Sequence, residues 1–181
     1  MTIGDEREPS SQVSNSTLLR VDYLELTRAP AAIPEHVGDA RVGLETLRLE
    51  AYLEIYRRVG EPLRWDQRLN MSREELAALL RTERSRIYVL RDAAGSAHGF
   101  CEFDRSQWPE IELKNFGLVP EAQGRRLGTW LLRTALHHEW RTGPTRIWLH
   151  TDEWDHPAAV SIYERAGFRI YMTRAEHSGP L

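Results

Sequence analysis

Residues 115–140 read NFGLVPEAQGRRLGTWLLRTALHHEW, and residues 146–168 read RIWLHTDEWDHPAAVSIYERAGF. The apolar pattern of residues 111–119 predicts a long strand. It runs into Val119-Pro120-Glu121 and then a short basic turn, Gln123-Gly124-Arg125-Arg126-Leu127-Gly128. A long amphipathic helix is expected over 123–141, with Leu127, Leu131, Ala135 and His138 inward and Gly143-Pro144 as its stop. A strand entering a helix this way points several backbone N–H groups at one place. A helix N-terminus carries about +0.5 of an elementary charge and binds phosphate. Gly124 and Gly128 let the backbone approach an anion, and Arg125 and Arg126 can add charge-assisted contacts. No Gly-Lys-Ser/Thr follows, so this is not a P-loop, and the glycine spacing is not that of a dinucleotide fingerprint.

Working outward, Arg146–Thr151 is expected as a strand and Pro157–Ala166 as a helix with Asp155 as its cap. Arg169–Thr173 is expected as the last strand. Upstream, Leu18–Leu26 alternates as a first strand, and 29–43 reads as a loop. Leu44, Leu47, Ala51, Tyr52, Ile55, Tyr56 and Val59 recur at helical spacing up to Gly60. Ser72 with Glu75 forms a capping box for a second helix. Ile87–Leu90 and His98–Phe103 pair around a turn at Asp92–Gly95. The order β, α, α, β, β, β, α, β, α, β is that of an α/β domain with a mixed sheet. Residues 1–17, polar and rich in serine and acid, are expected to be a flexible tail, and 18–181 a single domain.

At 181 residues the chain can bury roughly 70% of its unfolded surface. A net charge of −3 argues against a nucleic-acid binder. Cys101 is the only cysteine and lies in an apolar run, so it reads as a buried thiol. No apolar run is long enough to cross a membrane, and the N-terminus lacks signal-peptide character; a cytoplasmic protein is expected. His137 and His138 face different ways on one helix, and no metal site is expected.

Together these segments resemble the GNAT superfamily of acyl-CoA N-acyltransferases. Its signature, Gln/Arg-x-x-Gly-x-Gly/Ala after a strand ending Val-x-Pro-Glu, is met by Gln123, Gly128 and Leu118-Val119-Pro120-Glu121. Arg126 stands where the family usually has its first glycine. A second landmark, Asn-x-x-Ala-x-x-x-Tyr-Glu-x-x-Gly-Phe, is met from His156 to Phe168, with only the leading asparagine changed. A narrower likeness, to bacterial proteins of the superfamily, rests on Tyr23-Leu24-Glu25, Val59–Pro62, and Thr151 with Asp155–Ala159.

The resemblance implies a GNAT-type, mostly antiparallel central sheet with helices on both faces and a splay between its fourth and fifth strands. It implies acetyl-CoA as co-substrate, without a metal. The acceptor is then a small-molecule or peptide amine, and a homodimer is compatible with the family. In that reading the N–H of Leu118 polarises the thioester carbonyl with Phe116 beside it, and the N–H groups of Gln123 to Thr129 hold the pyrophosphate. Tyr163 maps onto the general acid. A phenol with a pKa of about 10 keeps its proton beside a thiol of about 8.5. For the base, strand alternation places Glu112 on one face with Lys114, Phe116 and Leu118. Glu102 and His150 are the competitors. Trp65, Trp108 and Trp154 are expected in loops, as acceptor-pocket walls or as packing. The alternative is a non-catalytic module of the same fold that binds acyl-CoA or scaffolds a partner; an unrelated phosphate-ligand enzyme is a third reading.

Overall fold

Period-two burial builds the strands. In the computed structural model, which describes residues 17–35 and 38–177, Glu110–Leu118 buries Ile111, Leu113 and Asn115 while Glu112, Lys114 and Phe116 stay half-buried. The tail expected at 1–17 lies, Thr17 apart, outside the described residues. The strands are β1 (Leu18–Leu26), β2 (Arg41–Glu45), β3 (Ser85–Arg91), β4 (Ala97–Asp104), β5 (Glu110–Leu118), β6 (Arg146–Asp152) and β7 (Arg169–His177). The helices are α1 (Leu49–Gly60), α2 (Arg73–Leu79), α3 (Leu127–Trp140) and α4 (Ala159–Ala166).

The seven strands form one sheet in the order β2-β3-β4-β5-β6-β1-β7. Every neighbouring pair is antiparallel except β5 and β6. Those two pair only at Glu110–Glu112 against Arg146–Trp148, and then separate. The expected splay between the fourth and fifth strands is therefore present, here between β5 and β6. The first strand of the chain inserts between β6 and β7 and holds both in place.

Adjacent residues of β4 show the two layers. Glu102 accepts the Tyr52 hydroxyl from α1 at 2.6 Å. Its neighbour Phe103 packs edge-on against Tyr88, which touches His138 of α3. Successive strand side chains point to opposite faces, so α1 and α3 cover opposite sides of the sheet. Helix α1 buries Tyr52, Ile55, Tyr56 and Val59 of the stripe the sequence predicts, together with Leu53, while Ala51 of that stripe is exposed. It comes close to β5 because residue 117 is glycine: a Cβ there would lie 2.4 Å from Val59 Cγ1. Helix α2 opens with the expected capping box between Ser72 and Glu75.

Four expectations need correction. The segment read as loop and early helix contains β2, and Leu44 is exposed. Its apolar spacing suited a helix, but the open edge of β3 supplies backbone partners, and Glu45 gains a two-pronged pair with Arg91. The long helix begins at Leu127, not 123. Gly124 and Arg126 adopt φ of 74° and 61°, which no right-handed helix accommodates. On that helix His138 is exposed and Glu139 is buried instead, its carboxylate taken by Arg86 and Tyr88 at 2.7 Å each. Finally, Asp155 does not cap α4, which begins after Ala158. The local turn is closed by His156, whose Nδ1 accepts the Ala158 N–H at 3.1 Å.

Candidate active site

The basic turn is a backbone cradle. Pro120–Ala122 makes a single 3-10 turn, and Gly124 and Arg126 then turn the chain twice through left-handed φ. The first backbone bond of α3 that its entry makes is Trp130 N–H to Arg126 O, so the amides of Leu127, Gly128 and Thr129 precede it. Gln123 ties the turn to the strand end, its Nε2 donating to Leu118 O at 3.3 Å. A Cβ on Gly128 would meet Leu118 and Phe116 at 3.5 and 3.6 Å, which is ordinary contact.

A cavity of about 390 Å³ lies in front of this cradle. Phe116, Leu118, Gln123, Gly124, Arg126, Gly128 and Thr129 line one side, and Ile162 and Tyr163 of α4 line the other. Arg125 is exposed and Leu127 turns into the core, and neither borders the cavity. The Val119 N–H bonds back to His98 O on β4 at 3.0 Å. Alternation then turns the Leu118 N–H the other way, into the gap left by β6.

A second cavity, of about 410 Å³, opens on the far side of the splay. Trp65, Trp154 and Tyr56 form much of its wall, with His150 and Lys114 along the sheet. The two cavities share Leu63, Phe116, Asp155 and Tyr163. Tyr163 is thus at their junction, its ring edge-on to Phe116 and Phe168 at 6.0 Å each. Burial pushes its phenol far above the ordinary value, and the Asp155 carboxylate adds to that, so the hydroxyl keeps its proton at neutral pH. Asp155 itself is raised by burial and by the nearby Asp152, against the hydrogen bond it accepts from Thr151 at 2.6 Å.

Glu112 lies outside the lining of both cavities, at the last position where β5 and β6 still pair. It touches the larger cavity through two residues that do line it: Lys114 Nζ at 3.2 Å and His150 Nδ1 at 3.5 Å. Burial alone would raise its carboxyl, but His150 and Lys114 together outweigh that and hold it below the usual range. Glu102 is fully buried and accepts from Tyr52, Ser85, Asn115 and Arg68. Cys101 is fully buried too, its thiol raised by desolvation, as the apolar run suggests. Trp65 and Trp154 prove to be cavity walls, and the Arg64 guanidinium stands over Trp154 at 5.3 Å. Trp108 is away from the site, half-exposed under Arg105. Sequence reasoning missed Asp155 as a site residue, because an acid before a helix reads equally well as a cap.

Among the described residues no helix is long and apolar enough to cross a membrane. The chain is similar to the mycothiol acetyltransferase of Gordonia bronchialis, with 41% identity over 64 residues, 35% of this chain and 20% of that protein. It is 34% identical over 95 residues to that of Mycolicibacterium smegmatis, covering 48% of this chain and 30% of that protein. The chain therefore spans under a third of the length of these curated relatives. In structure it resembles a GCN5-related N-acetyltransferase from Sphaerobacter thermophilus, with a TM-score of 0.65 and 17% identity over 88% of this chain and 51% of that one. It also resembles a tandem GNAT protein from the clavulanic acid biosynthesis pathway, with a TM-score of 0.63 and 17% identity over 100% of this chain and 62% of that one. These structural likenesses carry the fold. The acetyltransferase (GNAT) family matches residues 46–168, most of the chain and every element of the cradle and the junction, and the chain belongs to that family.

Proposed function

We propose that the protein transfers an acetyl group from acetyl-CoA to the primary amine of a small molecule or peptide by direct attack. One observation carries this reading: Tyr163 borders both cavities where β5 and β6 part. A thioester entering from the cradle side and an amine entering from the other side would meet there.

The cradle suits a diphosphate, with the amides of Leu127, Gly128 and Thr129 ahead of the first helical bond and the Gln123–Arg126 segment beside them. The free edge of β5 offers the Leu118 N–H to a thioester carbonyl, with Phe116 beside it, and hydrogen bonds to developing oxyanion charge are a large catalytic term. Tyr163 protonates the departing thiolate. Glu112 reaches the acceptor side through His150 and Lys114, which lie 3.5 and 3.2 Å from its carboxylate. Charge-assisted binding by Arg126 is part of the same proposal.

The test has two stages. Acetyl-CoA must raise the melting temperature of the protein, since a ligand of the native state stabilises it. Thiol release from acetyl-CoA is then followed with a panel of primary amines. Stabilisation without thiol release would favour a non-catalytic acyl-CoA-binding module. No stabilisation at all would end the reading.

A further inference from the structure

We infer that Asp155 is the group that seats the acceptor's ammonium and takes its first proton. This rests on the acyl-transfer reading above and assigns a role to a residue that stands outside both superfamily landmarks. Of the residues that border both cavities, Asp155 is the only one with a carboxylate. The others are Leu63, Phe116 and Tyr163. The base for a direct attack has to stand where the amine meets the thioester, and it has to be within reach of that nitrogen. Glu102 is sealed beneath four donors, and Glu112 borders neither cavity.

The surroundings of Asp155 suit the task. Thr151 Oγ1 on β6 donates to its Oδ2 at 2.6 Å, and Trp65 from the loop after α1 shares its cavity wall. The Thr151 bond orients the carboxyl and leaves each oxygen further acceptor capacity. Asp152 faces it from the end of β6 and Tyr163 from α4. The wider cavity presents Asp66, Asp152, Asp155 and Glu176 against Arg64 and Lys114, a balance that favours a cationic acceptor.

The step balances. The nitrogen bonds to the thioester carbonyl carbon as the C–S bond breaks and its electron pair leaves on sulfur. The ammonium gives up two protons in all. The first goes to Asp155 and on to solvent, which frees the lone pair. The second leaves the nitrogen once it is bonded, and replaces the proton that Tyr163 passes to the sulfur.

The experiment is the pH dependence of kcat/KM for the amine at saturating acetyl-CoA, with phenethylamine, cadaverine or glucosamine, whichever the wild type uses fastest. Wild type should rise with pH and level off once Asp155 is ionised. Asp155→Asn should lose about 10²–10⁴-fold at neutral pH, the usual worth of a positioned base. Its log kcat/KM should then climb steadily toward the pKa of the amine, because only free amine can react. Thr151→Val removes a bond that favours the ionised form, so its acid limb should move to higher pH with acetyl-CoA affinity unchanged. Should Asp155→Asn fail to fold, the Thr151→Val limb decides alone. An Asp155→Asn enzyme with wild-type rate and profile, or an unmoved limb in Thr151→Val, overturns this assignment and leaves the acyl-transfer reading standing. A wild type that binds acetyl-CoA but turns over none of the three amines overturns both.

Discussion

Glu102, wholly buried in β4, accepts the Arg68 guanidinium at 2.5 Å, and that contact fastens the loop between α1 and α2 to the sheet. The same loop carries Trp65 and Asp66 into the wall of the larger cavity. Tyr52, Ser85 and Asn115 complete the carboxylate's shell at 2.6, 3.2 and 2.8 Å. Removing one partner of a buried ion pair costs about 3–5 kcal/mol, because the other charge is left uncompensated. Glu102→Gln should therefore lower the urea midpoint strongly. An unchanged midpoint would show that the loop is held by packing alone.

Tyr163→Phe should cut turnover tenfold or more while the acetyl-CoA-induced rise in melting temperature survives. The variant removes only the hydroxyl and keeps the ring contacts with Phe116 and Phe168. Full activity in the variant would remove the phenol from the chemistry.

Arg126 carries φ 61° where a glycine would carry it without strain. A non-glycine residue held there stores about 1–3 kcal/mol at functional sites. Arg126→Gly should relieve that strain and hold or raise the melting temperature of the free protein. Arg126→Ala keeps the strain and loses only the guanidinium. Both should weaken acetyl-CoA binding in calorimetry if the arginine meets the phosphates. Unchanged affinity in both would leave the cradle to backbone amides alone.

Gly117 lets α1 cross β5 closely, since a Cβ would sit 2.4 Å from Val59 Cγ1. Gly117→Ala should cost about 1–3 kcal/mol as an overpacking change. Val59→Ala made in the same chain should restore part of it, and a double-mutant cycle would measure that coupling. Simple additivity would mean that the helix shifts freely.

Glu112 is held below the ordinary carboxylate range, with the lowering by His150 and Lys114 exceeding the effect of burial. Its folded-state pKa is therefore below its unfolded one, and its contribution to stability is fully present above about pH 4.3. That contribution is lost as the pH falls through the folded value. Glu112→Gln should be less stable than wild type at neutral pH and converge with it in acid. Denaturant titrations at several pH values would check this, and a gap that widens in acid would contradict it.

The sequence determined the elements whose pattern is local. Strand alternation around residues 111–119, the Ser72–Glu75 capping box, the stripe of α1 and the glycine-bearing basic turn all follow from side chains within one or two turns of each other. Two landmarks in order were enough to reach the family. Tertiary structure decided what depends on distant partners. β2 became a strand because the edge of β3 was open, and β1 settled between β6 and β7, a pairing with no local signal. Asp155 became a wall of both cavities because Thr151 on β6 draws its carboxylate away from the start of α4. Periodicity reports which face of an element is apolar, whereas the gap between β5 and β6 arises only when remote strands compete for the same backbone groups.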